Sequence, residues 1–319
     1  MDRRLRAGTR PHVYVFILLV SGLPAACSSS HRAAPVPAEA ILAEPDGPGV
    51  VADLRARYAD TTSSCKGNEP AVRCTGILLE ASRLRDPWLP YKPDGVPMSW
   101  FRIDGPMPST YEPERGVQAG MIYYSPDRSV QFGKRPLNVQ CAYVFNAFTN
   151  FRPNGRCEGI PASNTPESGP CQPQGIVDLD TWIAHIKRNP DPPQNGGWQC
   201  GFDLSATDRT AVFSHFPSMM KEALVNKYPG AGHDELIIYT WPQDGAQLVP
   251  IEAFFYNAGP DTRQNSLERA QALQKLMNDK AGIWRPVVEI RFPLDPTDEV
   301  LFGYNVGDQG IPAPASKPD

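Results

Sequence analysis

Apolar residues along this chain recur at two spacings, one helical and one extended. From Gly49, GVVADLRARYADT sets Val50, Val51, Leu54 and Tyr58 on one helical face, with glycine and proline just before it as a start signal. DLDTWIAHIKR, SMMKEALVNKY and NSLERAQALQKLMNDKAG show the same period. Asp180 is the expected N-cap of the first, with Trp182, Ile183 and Ile186 on its buried side. Ser218, following Pro217, caps the second. Asn265 and Glu268 form a capping box for the third, which Gly282 ends.

Between these lie TGILLEAS, PMSWFRID, AGMIYY and LNVQCAYVF, short and rich in branched or aromatic residues, which predict strands. In LNVQCAYVF, Leu137, Val139, Cys141, Tyr143 and Phe145 share one face, which places Cys141 in the core. ELIIYTW is apolar on both faces, as a central strand requires. PIEAFFY puts Glu252, Phe254 and Tyr256 on one side. PVVEIRF turns Val288, Ile290 and Phe292 one way and Glu289 and Arg291 the other. The succession predicts an α+β fold, a mixed and largely antiparallel sheet with packed helices.

The N-terminus changes the picture from fold to destination. Arg3, Arg4, Arg6 and Arg10 precede the apolar run VYVFILLV and then SGLPAAC, ending at Cys27. A basic region, a short apolar region and small residues before a cysteine describe an export signal, too short for a permanent membrane span. Residues 1–26 are therefore expected to be removed and Cys27 to be lipidated. Pro24 stands where lipoprotein signals usually carry leucine, and Leu23 lies one place earlier. Several acyl chains on one residue anchor a protein stably. Ser28 and Ser29 follow Cys27 without an acidic residue, which favours an outer-membrane lipoprotein of the cell envelope. Residues 27–48, rich in Ser, Ala and Pro, read as a flexible tether. A single α+β domain is expected over 49–306, and a disordered tail over 307–319.

Cysteine usage agrees with export. Beyond Cys27 the chain holds Cys65, Cys74, Cys141, Cys157, Cys171 and Cys200, an even number with no C-x-x-C spacing. Short loops suggest Cys65 with Cys74 and Cys157 with Cys171, leaving Cys141 with Cys200. The fold is thus expected to be disulfide-stapled. Removal of four arginines and one aspartate with the signal moves the net charge from −4 to −7. No basic run exceeds the pairs Lys134 with Arg135 and Lys187 with Arg188, so a nucleic-acid partner is excluded. Together 35 prolines and 26 glycines mark long loops, the largest at 152–175 and 189–198.

Motifs with chemistry are few. Gly47, Gly49 and Ala52 match a dinucleotide fingerprint, but no strand precedes them. Ser218 and Lys221 spell S-x-x-K without the companion K-T-G and S-D-N motifs, and a helix cap explains the serine without chemistry. His185, His215 and His233 do not pair at ligand spacing, so neither a metal nor a cofactor is expected. Trp241, Phe254, Phe255 and Tyr256 read as core aromatics.

His233, Asp234 and Glu235 stand at a loop-to-strand junction after Pro229, Gly230 and Gly232. In one reading Asp234 binds turn amides and Glu235 points outward. In the other, Glu235 opens a central strand and belongs to a site, joined by Glu252, whose apolar neighbours demand a partner or a cleft.

RYADTTSSC, AVRCTGILL, SWFRID, SGPCQPQGI, QCGFDL, DELIIYTWPQ and PIEAFFYNAG together resemble the halovibrin-like secreted bacterial proteins, over about Arg57 to Tyr304. Their domain is also similar to modules at the ends of invasin-type adhesins. The resemblance implies NAD cleavage or ADP-ribosyl transfer, with a nucleotide or glycoside as ligand. Arg102 and Ser99 match the arginine and strand serine of such a site, whereas Pro97 stands at a further serine position and no Glu-x-Glu occurs. Cleavage of NAD needs a carboxylate near the ribose, a cation for the pyrophosphate and an aromatic face for nicotinamide. Glu235 and Glu252 are the catalytic candidates; Arg102, Ser99 and Trp241 are the substrate-binding candidates. The other function class is a non-catalytic surface binding or adhesion module.

Overall fold

The computed structural model describes residues 46–81, 96–105, 119–132, 134, 137–144, 159–160, 175–188, 201–203, 209–225, 234–239, 250–258, 263–292 and 299–313. These belong to the compact unit running from residue 41 to the C-terminus. In chain order the elements are α1 (Gly47–Ala59), β1 (Ser64–Cys65), β2 (Glu69–Pro70), β3 (Ile77–Ala81), β4 (Val96–Phe101), β5 (Ala119–Tyr123), α2 (Pro126–Gln131), β6 (Asn138–Tyr143) and β7 (Gly159–Ile160). Then follow α3 (Leu179–Lys187), β8 (Gly201–Asp203), α4 (Arg209–Val225), β9 (Glu235–Tyr239), β10 (Ile251–Asn257), α5 (Arg263–Ala281), β11 (Val287–Arg291) and β12 (Leu301–Gly303).

Ten strands form one sheet in the order β12-β11-β10-β5-β3-β4-β9-β6-β8-β7, while β1 and β2 make a separate hairpin. Among the described residues only β10 with β11 and β7 with β8 run parallel, so the α+β architecture is mixed and mostly antiparallel. Alternation sorts the apolar side chains onto two faces. Leu78, Trp100, Met121, Phe254 and Tyr256 meet the buried stripes of α3, α4 and α5. Ile77, Leu79, Ile122, Phe255, Val288 and Ile290 meet Val50, Val51 and Leu54 of α1. The face assignment of PVVEIRF holds, with Val288, Ile290 and Phe292 together. Phe254, Phe255 and Tyr256 are core aromatics, fully buried. Cys141 is likewise in the core, 1 % exposed, beyond a register shift between Val139 and Cys141.

Element ends differ from expectation where tertiary contacts intervene. Asp178, not Asp180, caps α3: its carboxylate accepts the Thr181 N–H at 2.8 Å while the Thr181 hydroxyl accepts the Asp178 N–H at 3.0 Å. That closed box outcompetes a lone cap two residues further on. Helix α4 starts at Arg209 and continues through Pro217, so Ser218 is mid-helix. Pro217 removes one helical N–H, but Val212, Phe213, Phe216, Met219, Met220 and Ala223 on the buried side keep the helix together. Helix α5 begins at Arg263, leaving Asn265 inside its first turn, and ends as expected before Gly282 at φ +66°. The G-x-G-x-x-A match is absorbed by α1, which Asp46 caps through the Gly49 N–H.

Residues 307–313 are ordered rather than tail. The Gln309 side-chain amide accepts from the Val287 N–H at 2.9 Å and donates to the Val287 carbonyl at 2.9 Å, acting as an extra strand residue beside β11. Gln274 of α5 accepts from the Gly310 and Ile311 N–H groups. Two glutamine side chains thus stand in for a backbone ladder that local sequence does not reveal.

Cys65 and Cys74 are bridged, as expected. Cys141 is disulfide-bonded to a cysteine outside the described residues. The expected pairings of Cys157, Cys171 and Cys200 lie outside those residues, as do Cys27, the signal and most of the tether.

Candidate functional site: a polar cavity against helix α4

A cavity of about 270 Å³ opens where the segment before β1, the turn after β4 and α4 come together. Its α4 wall is Phe213, Ser214, Pro217, Ser218 and Lys221, spaced as one helical face. Thr61 and Ser63 form the wall just before the hairpin, Arg102 and Asp104 the third side. The Cys65–Cys74 bridge ties the hairpin to the segment that follows it, and the Thr210 hydroxyl bond to the Asn68 carbonyl at 2.9 Å joins the hairpin to α4.

Arg102 anchors this place. Its fork donates to both oxygens of Asp104 at 2.8 Å, and its third nitrogen donates to the Thr62 carbonyl and the Thr75 hydroxyl at 3.2 Å each. The guanidinium lies 4.9 Å from the Trp100 ring centroid, a cation–π contact. Gly76 permits this packing. At φ +68°, a Cβ there would sit 2.2 Å from Trp100 Nε1 and 2.8 Å from Arg102 Cγ, so both conformation and space demand glycine. Trp100 Nε1 in turn donates to the Thr75 carbonyl at 2.9 Å. Burial, then the carboxylates of Asp104 and Glu299, pushes the nearby Tyr58 phenol up to about 12, which keeps it neutral.

The hydroxyls of Ser214 and Ser218 donate to the Ala211 and His215 carbonyls, each at 2.8 Å. This directs the Ser218 proton into its own helix, which disfavours the S-x-x-K nucleophile. Lys221 is exposed and forms no ion pair among the described residues.

The carboxylates singled out by sequence lie elsewhere. Asp234 is completely buried, and both its oxygens accept the Trp100 backbone N–H, at 2.9 and 3.1 Å. Ser99 donates to the Asp234 carbonyl at 3.1 Å. Asp234 therefore binds the neighbouring strand β4 as well as its own backbone N–H, and the turn before it lies outside the described residues. Burial, and secondarily the Glu235 charge, pushes its carboxyl well above the usual carboxylate range against the lowering effect of the Trp100 bond. Glu235 is 5 % exposed, not outward-pointing. His233 lies outside the described residues, and so does Trp241.

Glu252 meets different company. The β10–β5 register slips between Ile251 and Ala253, so Glu252 is the extra residue of a bulge. Strict alternation would place it with Phe254 and Tyr256, but the bulge turns it towards α1. There it accepts from Arg57, and from Arg128 of α2 at 3.2 Å, while Arg128 also pairs with Asp53. Between Glu235 on β9 and Glu252 on β10 lie β4, β3 and β5, roughly 19 Å of sheet. The structure thus brings Ser99 to Asp234 and Glu235, sets Arg102 in the cavity, and separates Glu252 from both.

Sequence reasoning passed over Thr61, Ser63, Asp104, Phe213, Ser214 and Pro217. The signal was present in α4: extending its helical period back across Pro217 aligns Phe213, Pro217 and Lys221. Among the described residues no group of three or more His, Cys, Asp or Glu is placed to hold a metal ion. Comparison with protein-family models, curated proteins and solved structures finds no match to the chain.

Proposed function

We propose that this chain is an exported, lipid-anchored binding module of the cell envelope, whose ligand enters the cavity between residues 61–63, Arg102–Asp104 and α4. The observation that carries the reading is the composition of that cavity: a buried arginine fixed by a carboxylate, an exposed lysine, four hydroxyls and an apolar floor. Pockets that combine apolar surface with a few placed polar groups are the usual sites for small ligands. Asp234 and Glu252, by contrast, are engaged in holding β4 and α1. Titration of the oxidised chain with small carboxylates, phosphates and sugars should raise its melting temperature for at least one class, and Lys221→Glu should remove that shift. A shift that survives Lys221→Glu, or no shift across the panel, refutes the cavity as the site.

A second reading, cleavage of NAD or a related glycoside, draws on the resemblance to halovibrin-like proteins and on one local fact. Asp234, favoured in its neutral form by burial, adjoins Glu235, and glycoside cleavage commonly uses two carboxyl groups of which one is protonated. Nicotinamide release from NAD that vanishes in Glu235→Gln would place catalysis there and demote the cavity to substrate binding.

A further inference from the structure

Resting on the binding reading, the donor and acceptor balance of the cavity narrows its ligand. Ser214 and Ser218 have given their protons to the Ala211 and His215 carbonyls, so both present oxygen lone pairs as acceptors. Asp104 uses one site on each oxygen for Arg102 and is a third exposed, which leaves lone pairs open to the cavity. Arg102 is 3 % exposed and spends four of its N–H groups on Asp104, Thr62 and Thr75. The fixed wall is therefore dominated by acceptors, and the accessible cation is Lys221.

A plain inorganic anion suits this poorly, because Asp104 and two serine oxygens would face it with lone pairs. A neutral sugar leaves the lysine without a counter-charge. We infer that the cavity binds a polyhydroxylated ligand carrying one carboxylate, of the size and chemistry of a single uronic-acid unit, with ligand hydroxyls donating to Ser214, Ser218 and Asp104 and the carboxylate paired with Lys221. The volume of about 270 Å³ falls just under that of pockets for drug-sized molecules, in keeping with one sugar unit. The adaptable hydroxyls of Thr61 and Ser63, which donate or accept as needed, complete the rim.

The test uses the full chain, oxidised and purified in detergent, titrated calorimetrically with D-glucuronate, D-glucose, succinate and glycerol 3-phosphate. Glucuronate is expected to bind at least tenfold more tightly than glucose and than succinate. Lys221→Ala should bring glucuronate down to the level of glucose. The exposed pair Ser214→Ala with Ser218→Ala should weaken glucuronate at least tenfold while leaving succinate unchanged, with an unaltered melting curve as the folding control. Succinate binding as tightly as glucuronate would overturn the polyol assignment and leave a simple anion site. Tighter binding of glycerol 3-phosphate would overturn the carboxylate assignment. Failure of all four probes, while another class in the wider panel still raises the melting temperature, would overturn this inference and spare the binding reading; failure of every compound would remove both.

Discussion

Glu252→Gln probes the most deeply buried charge among the described ion pairs. The Glu252 side chain is 0 % exposed and lies between Arg57, 7 % exposed, and Arg128, 15 % exposed. Arg57 has Glu252 as its one side-chain acceptor, since its Nε and its other terminal nitrogen have none. Arg128 retains Asp53 when Glu252 is neutralised. The loss therefore falls on Arg57, left as a buried cation without a counter-charge, and removing one partner of such a pair costs about 3–5 kcal/mol. The Arg128 share is smaller, because Arg128 keeps Asp53 as a counter-charge. Glutamine keeps the shape and one acceptor oxygen, so the total should lie near the lower end of that range, about 3 kcal/mol. With a urea slope of about 3 kcal/mol per M for a chain of this size, the unfolding midpoint should fall by about 1 M. Equilibrium urea unfolding followed by fluorescence reads it directly. Arg57→Met combined with Glu252→Met should cost less than Glu252→Gln alone, because it removes both charges together. A midpoint change under about 0.3 M for Glu252→Gln, or a double variant worse than the single one, would refute the claim that Glu252 neutralises Arg57.

Three further outcomes follow from the same geometry. Asp234 has its carboxyl raised by burial, so the fold binds this proton more tightly than the unfolded chain. Its contribution is fully present below the ordinary value of 3.8 and is lost as pH rises through the raised one. Asp234→Asn should flatten that falling limb in denaturant midpoints measured from pH 4 to 8, and an unchanged slope would count against it. Replacing Cys65 and Cys74 by serine opens a bridge across a separation of 9 residues, which by loop entropy should cost about 2.5 kcal/mol and weaken ligand binding at the adjoining cavity; an unaltered urea midpoint would contradict this. Gly76→Ala meets both a left-handed φ and the Trp100 indole, so it should cost about 3 kcal/mol or more and shift tryptophan emission, whereas a neutral result would show that β3 and β4 part without penalty.

The residues that declare themselves locally were legible in the chain. Val50, Val51 and Leu54 mark α1, Val288, Ile290 and Phe292 mark one face of β11, and Gly282 marks the end of α5. The α+β class and the Cys65–Cys74 bridge follow from periodicity and short spacing, both readable within a few residues. What escaped depends on partners distant in sequence. The Glu252 bulge exists because Arg57, 195 positions away, and Arg128 receive a carboxylate that alternation would have sent to the other face. Helix α4 survives Pro217 because its apolar side packs beneath Trp100 and its neighbours. Residues 307–313 are held by Gln274 and Gln309 against β11, not by any pattern of their own. The cavity likewise joins the segment before β1, the turn after β4 and one face of α4. Hydrophobic period is a property of neighbours along the chain and is written in the sequence; which charges, amides and hydroxyls meet is settled by how the sheet is ordered and what packs on it, and that exists only in three dimensions.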